Sequence, residues 1–377
     1  MVHPSEALEK ISAAGLLRKL TPLDSPPGIQ ISRNGRSLWN FASNDYLGFS
    51  QHPRIINSLL EGVKRYGAGA TASRLVCGTL PPHRALEEKL AEVKQSESAL
   101  TFTSGFAVAL GIIPAIAGKQ DFVILDKLCH ACLIDGARLS GATIRIFPHN
   151  DLAGLERLLQ KLRSKSNAAR ILVITESVFS MDGDLAPLTA LVSLVERFEA
   201  LLLVDEAHAF GVLGNNGMGL AEQEGLQGRI SFQMGTFSKA VGLSGGYVTA
   251  SREWIDLFIN QARTLIYSTA PPPALAHAVC EAIDVIRSPD GKALRDRLQT
   301  NIRVLSKSGT PIIPVITGCN SSALAASAKL EAQGFLVPAI RYPTVPRNSA
   351  RLRVSISAAH PIEAVQLLSN NLVELRS

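Results

Sequence analysis

The chain has 377 residues, 46% of them hydrophobic and 19% charged, which is long enough for two cores and too apolar for a disordered chain. A formal net charge of +6 with no Lys/Arg-rich block argues against nucleic acid as a partner. Five cysteines without a repeating spacing point to free thiols in a reducing, cytoplasmic setting. The longest apolar stretch, Phe106 to Gly118, contains Pro114 and is too short to span a bilayer.

Met1-Val2-His3-Pro4-Ser5-Glu6 has neither a basic nor an apolar region, so no signal peptide is expected. Residues 5–20 read as an amphipathic helix with Leu8, Ile11 and Leu16 on one side. Residues 22–28 carry three prolines and a glycine and read as a linker. From about residue 99, strand-like runs alternate with helical patterns. The strands fall at 99–102, 122–125, 143–147, 171–175, 201–204, 230–234 and 246–250, with helices such as 153–165 and 187–198 between them. Their Val, Ile and Leu runs lack polar alternation. This predicts a mostly parallel sheet, covered by helices on both faces. From about Ala274 the pattern changes to long helices with short strands at 312–316, 335–340 and 352–356. The expected organisation is an N-terminal segment (1–45), a large α/β domain (46–273) and a small α+β domain (274–377).

Ligands of such sheets bind beyond the carboxyl ends of the strands, and the chemistry-bearing residues gather there. Lys239 lies in Gly235-Thr236-Phe237-Ser238-Lys239, just after one strand. A lysine partly withdrawn from water loses proton affinity and becomes a nucleophile for aldehydes. The run Leu201-Leu202-Leu203-Val204 ends in Asp205-Glu206-Ala207-His208. An amine nucleophile and a buried carboxylate on two strand ends are what pyridoxal phosphate requires, the carboxylate keeping the pyridine nitrogen protonated. Thr103-Ser104-Gly105-Phe106 follows a third strand and opens a helix, whose free N–H groups suit a phosphate. His130, in Asp126-Lys127-Leu128-Cys129-His130, follows a fourth strand and could stack on a flat ring. Glu176-Ser177-Val178-Phe179-Ser180 follows a fifth and supplies hydroxyls.

Other motifs fail on context. Asp205-Glu206-Ala207-His208 spells the helicase DEAH box, but no G-x-x-x-x-G-K-[ST] loop accompanies it. Gly67-Ala68-Gly69-Ala70-Thr71-Ala72 fits a loose dinucleotide fingerprint, yet it follows a helical segment rather than a strand. Cys129 and Cys132 form a C-x-x-C without a second pair at zinc spacing, so structural thiols are expected and no metal site.

Together these residues resemble the α-oxoamine synthases, pyridoxal-phosphate enzymes of the aspartate-aminotransferase fold (fold type I). The resemblance runs from Asn40-Phe41-Ala42-Ser43-Asn44-Asp45-Tyr46-Leu47-Gly48 to Ala358-Ala359-His360 and includes Ala339-Ile340-Arg341-Tyr342-Pro343-Thr344-Val345-Pro346. It implies the cofactor pyridoxal 5'-phosphate. The implied reaction is a decarboxylative condensation of L-alanine with a pimeloyl thioester, on CoA or acyl carrier protein. By the same resemblance, Lys239 binds the cofactor and takes the α-proton, Asp205 pairs with the ring nitrogen, and His130 stacks on the ring. Ser180 and His208 bond the phenolic oxygen. Gly105, Phe106 and Thr236 hold the phosphate, with Ser268 and Thr269 arriving from the other subunit of a homodimer. Arg353 clamps the amino-acid carboxylate, Asn44 lies in a substrate-proximal loop, and Arg18 and Thr344 contact the acyl substrate. Two departures stand out. Residues 302–320 look about ten shorter than is usual for the family, which predicts a trimmed first strand in the small domain. Arg74-Leu75-Val76-Cys77-Gly78-Thr79 and Ser244-Gly245-Gly246-Tyr247 look more like sister enzymes that make 2-amino-3-oxobutyrate or 5-aminolevulinate.

Overall fold

The structure, a computed structural model, describes residues 3–164 and 169–375. The chain divides into a larger unit, Phe49–Ser180 with Asp184–Arg295, and a smaller one, Met1–Gly48, Met181–Gly183 and Asp296–Ser377.

The larger unit is built on a seven-stranded sheet. Its strands stand in the order Ser98–Phe102, Gly246–Ala250, Phe232–Thr236, Leu201–Asp205, Ile171–Glu176, Phe122–Asp126 and Thr143–Phe147. Gly246–Ala250 runs antiparallel to both neighbours, and the other adjacent pairs are parallel. Six strands therefore end at one edge of the sheet. The strands Ile171–Glu176, Phe232–Thr236 and Gly246–Ala250 are buried along their whole length, the polar Glu176, Gln233 and Thr249 included. Each fully buried Val, Leu or Ile adds about 1.5–3 kcal/mol to the fold. The helix Gly105–Ile116 lies in this core through Val108, Ile112, Ile113 and Ile116.

The expected boundary at 273 is displaced. Helix Pro273–Arg287 belongs to the larger unit, where it packs on helix Pro53–Tyr66. The reason is a close approach at Gly62, where a Cβ would lie 2.9 Å from the Ala274 Cα. Nor does the N-terminal segment stand apart, since Met1–Gly48 groups with the C-terminal residues. Other limits shift by a few residues. Helix 153–165 is found as Leu152–Arg163, and Lys165, like Met1 and Val2 of the signal-peptide reading, lies outside the described residues. The N-terminal helix stops at Ala13 rather than residue 20, because Gly15 turns left-handed at φ +66°. None of its residues is buried, and Leu8 and Ile11 stay exposed.

In the smaller unit, Ile312–Gly318, Ala350–Ser355 and Ala339–Ile340 form one antiparallel sheet. Gln30–Arg33, Arg36–Asn40 and Phe335–Leu336 form another. The single strand expected over 335–340 is thus two pieces in two sheets. Pro338 has no N–H for a ladder, and its carbonyl accepts from the Arg353 N–H at 3.1 Å. The first strand is not trimmed either. Ile312–Gly318 has seven residues and pairs along the whole of Ala350–Ser355, so the shortening falls outside it. Among the described residues no helix is long and apolar enough to cross a membrane.

Candidate active site

Lys239 stands three residues beyond the strand Phe232–Thr236, in a loop closed by its own backbone. The Phe237 N–H donates to Gly245 O at 3.0 Å, Leu243 to Phe237 O at 2.9 Å, and Gly242 to Lys239 O at 2.8 Å. Gly242 is required here, since φ is +69° and a Cβ would fall 2.4 Å from the Ser50 N. The Phe237 ring stacks on Tyr247 with centroids 5.5 Å apart. So held, the half-buried Lys239 has its Nζ 2.8 Å from the Nε2 of His208.

His208 and Asp205 come from the neighbouring strand Leu201–Asp205 and the loop after it. Asp205 is buried and its Oδ1 accepts the Ala207 N–H at 2.9 Å. Its other oxygen has no protein hydrogen bond among the described residues. Burial pushes the Asp205 carboxyl up, while Lys239, the Ala207 N–H and His130 pull it back. The loop itself is pinned from beneath. Glu206 and Lys94 pair at 3.5 Å with no side-chain exposure at either. Lys94 Nζ also donates to Met218 O at 2.7 Å, and Glu206 Oε1 accepts the Ala221 N–H at 2.9 Å.

His130 is the N-cap of helix Ala131–Ser140, its Nδ1 accepting the Cys132 N–H at 3.3 Å. The residue is exposed to solvent. Partial burial of the ring still lowers its pKa, opposed first by Asp205 and deepened by Lys239. Cys129 and Cys132 lie in the hydrophobic core with strongly raised pKa values, burial being the main cause. Both are free, buried thiols.

Next to the Phe232–Thr236 strand, Ser104 caps helix Gly105–Ile116 by accepting the Ala107 N–H at 3.0 Å. The first backbone bond of that helix is Val108 N–H to Ser104 O, so the N–H groups of Gly105 and Phe106 precede it and are open to an anion. A Cβ on Gly246 would sit 2.5 Å from the Gly105 N, so only glycine lets strand and helix end meet this closely. The Thr236 hydroxyl donates to Gly245 O at 2.7 Å and lies 2.9 Å from the Ser238 hydroxyl. Ser238 is exposed and was not singled out from the sequence. Ser180 N–H donates to Glu176 Oε2 at 3.2 Å. Free phosphate-binding amides, an unspent carboxylate oxygen and a lysine amine at one edge of the sheet fit pyridoxal phosphate.

Ser268 and Thr269 follow the short helix Arg263–Ile266 of this unit. Thr269 forms an antiparallel bridge with Ser73. Ser268 lines a shallow cavity of about 290 Å³ with Thr103, Ala107, Arg263, Thr264 and Tyr267. The remaining expected residues belong to the smaller unit and form two groups. Buried Arg353 donates through Nη1 to Asn44 Oδ1 (3.0 Å) and Ser355 Oγ (2.8 Å), and through Nη2 to the Tyr46 hydroxyl (3.4 Å). Exposed Arg18 donates to the Thr344 hydroxyl at 3.3 Å. Tyr46 and Ser355 were missed as partners of Arg353. Tyr46 stood inside a quoted motif, but nothing in its spacing showed a contact 307 residues away.

Residues 36–372 match the family described as aminotransferase class I and II, and the chain belongs to that family. It is a pyridoxal-phosphate-dependent transferase of fold type I. The chain is 45% identical to an 8-amino-7-oxononanoate synthase of Geobacter sulfurreducens, over 94% of this chain and 92% of that one. It is 43% identical to the enzyme of the same name from Thermoanaerobacter pseudethanolicus, over 95% of this chain and 92% of that one. Among solved structures, a lysine-to-alanine variant of the serine palmitoyltransferase of S. paucimobilis with a bound PLP–myriocin aldimine superposes with a TM-score of 0.92 at 28% identity, over 98% of this chain and 96% of that one. The 8-amino-7-oxononanoate synthase of Francisella tularensis gives 0.77 at 27% identity, over 89% and 97%.

Proposed function

We propose that this chain is an 8-amino-7-oxononanoate synthase like the relatives of that name, and that, as the sequence resemblance implies, it joins L-alanine to a pimeloyl thioester with loss of carbon dioxide and thiol, a step of biotin biosynthesis. The observation that carries the reading is the Lys239–His208–Asp205 group beside the open N-terminus of helix Gly105–Ile116. Pyridoxal phosphate, when bound, accepts the electron pair left on the substrate carbon.

The roles of the chain's own groups follow from their surroundings. Lys239 Nζ holds the cofactor covalently and takes the alanine α-proton; His208, 2.8 Å away, orients that amine and bonds the phenolic oxygen together with Ser180. Asp205 keeps the ring nitrogen protonated through the oxygen that Ala207 leaves unused. His130 covers the ring. Gly105 and Phe106 hold the phosphate through their N–H groups. Thr236 contributes once its hydroxyl gives up Gly245, with Ser268 and Thr269 of the partner subunit completing the cradle in a homodimer. We assign Arg353 to the substrate carboxylate, because a guanidinium offers a bidentate fork, with Asn44 beside it. Arg18 and Thr344, already bonded to each other, are assigned to the acyl chain. We infer a cytoplasmic reaction, in keeping with a substrate carried on CoA or acyl carrier protein.

Thiol release measured across several acyl thioesters, with alanine and with glycine, tests the reading. Pimeloyl thioester with alanine should be fastest. Faster release from acetyl-CoA with glycine would transfer the chain to the 2-amino-3-oxobutyrate branch.

A further inference from the structure

Glu176 closes the strand Ile171–Glu176 and stands in register with Asp205 on the adjacent parallel strand. Residues directly opposite on neighbouring strands, about 4.8 Å apart, point to the same face. Two carboxyl groups therefore emerge side by side, with Glu176 2% and Asp205 6% exposed. Glu176 Oε2 accepts the Ser180 N–H at 3.2 Å, while the buried Oε1 has no partner in normal hydrogen-bond geometry. Ser177 adds a second tie across the same two strands, its N–H and hydroxyl donating to Asp205 O at 2.9 and 3.1 Å.

We propose that Glu176 is a positioning residue of the cofactor site. Its buried carboxyl, carrying a proton, anchors the Ser180 turn to the sheet and leaves Asp205 as the single negative charge at that strand end. The proposal rests on the reading of Asp205 as partner of the ring nitrogen.

Two ionised carboxylates this close and this dry are strongly disfavoured, so one of them keeps its proton. The surroundings choose which. Asp205 accepts the Ala207 N–H and faces Lys239 and His130, all of which favour its charge. Glu176 accepts the Ser180 N–H and lies near the His130 N–H, and its Oε1 has no partner in normal hydrogen-bond geometry. Burial, and then Asp205, raise it to about 8, against the pull of Lys239 and the N–H groups of His130 and Ser180. The other titratable neighbours are the Cys129 and Cys132 thiols, whose pKa values Glu176 helps to raise, so they add no charge at neutral pH. Were Glu176 ionised instead, its field would drive a proton onto Asp205 and remove the charge the ring nitrogen needs.

The test is infrared difference spectroscopy of the full-length holoenzyme, wild type minus Glu176→Gln, at pH 6.5 and pH 9.5. The expected result is the carbonyl stretch of a protonated carboxyl at the lower pH, fading at the higher. The amide keeps both neutrality and an acceptor, so at pH 7 this variant should retain kcat within about threefold. It should also lose any inflection near pH 8 in the titration of the cofactor absorbance band. Glu176→Ala, which lacks the tie to Ser180, should bind the cofactor about tenfold more weakly. A difference spectrum with only carboxylate bands at pH 6.5 would overturn the proposal. If Glu176→Gln does not fold, the same titration on Asp205→Asn decides. Removing the neighbouring charge must lower the pH at which the buried carboxyl ionises, and an unchanged pH sinks the idea. Loss of the band with condensation activity intact refutes only this inference; the band without activity refutes only the proposed reaction.

Discussion

In the larger unit, Lys94 faces Glu206 at 3.5 Å without exposure, and Asp205 lies in register with Glu176 and feels the charges of Lys239 and His130. In the smaller unit, Arg353 is held by the neutral oxygens of Asn44, Tyr46 and Ser355. There too His360 is buried as a neutral ring, stacked on Phe41 at 4.1 Å and bonded to Asn40 O and the Ser357 N–H. The difference is one of mutual dependence. Charges that stabilise one another fail together, because removing one leaves the other buried and unpaired. Groups held by neutral oxygens fail singly. The first arrangement displaces pKa values through mutual charge, and the second, under the proposed function, would give a rigid recognition group.

The largest effect should come from breaking that dependence outright. Lys94→Met leaves Glu206 buried without its cation and should destabilise the protein by about 3–5 kcal/mol, read as a lower urea midpoint. The double variant with Glu206→Gln should recover much of the loss. A single variant as stable as wild type would mean the pair is not coupled. Next comes Asp205→Asn, which should keep the fold by circular dichroism and lower kcat about a hundredfold or more, roughly 3 kcal/mol. Near-normal turnover would remove Asp205 from the ring nitrogen.

The smaller unit answers to pH. Burial lowers His360 to about 4 from the usual 6.5, so the unfolded chain binds the proton first as pH falls. Stability fully present above 6.5 is then lost progressively down to pH 4, by about 3 kcal/mol from this one group. Urea unfolding of wild type and His360→Gln at pH 7 and pH 4 measures it, and the variant should show the shallower loss. Smallest is Arg353→Lys, which keeps the charge but not the fork. It should raise the alanine KM about tenfold with little change in kcat. An equal fall in kcat would show that Arg353 acts in the transition state rather than in binding.

Much of the larger unit was legible because its information is local. Val/Ile/Leu runs without alternation mark strands buried on both faces, and polar residues directly after them mark the carboxyl edge, so Lys239, Asp205 and His130 could be placed before any coordinates. What sequence could not show was pairing at a distance. Lys94 and Glu206 are 112 positions apart in the sequence and meet only through the fold. Glu176 was visible as a letter, but its role depends on being in register with Asp205. The split of 335–340 is signalled by Pro338, which has no N–H to donate to a ladder. The 273 boundary was misplaced because helix Pro273–Arg287 buries apolar residues such as Ala278 and Ile283 without stating against which unit.

The most direct test of the central claim is borohydride reduction of the holoenzyme followed by proteolysis and mapping of the cofactor-bearing peptide. The account predicts the cofactor on Lys239, in Gly235-Thr236-Phe237-Ser238-Lys239, and no labelled peptide from Lys239→Ala. A label on any other lysine would contradict the assignment of Lys239, and with it the roles given to His208 and Asp205.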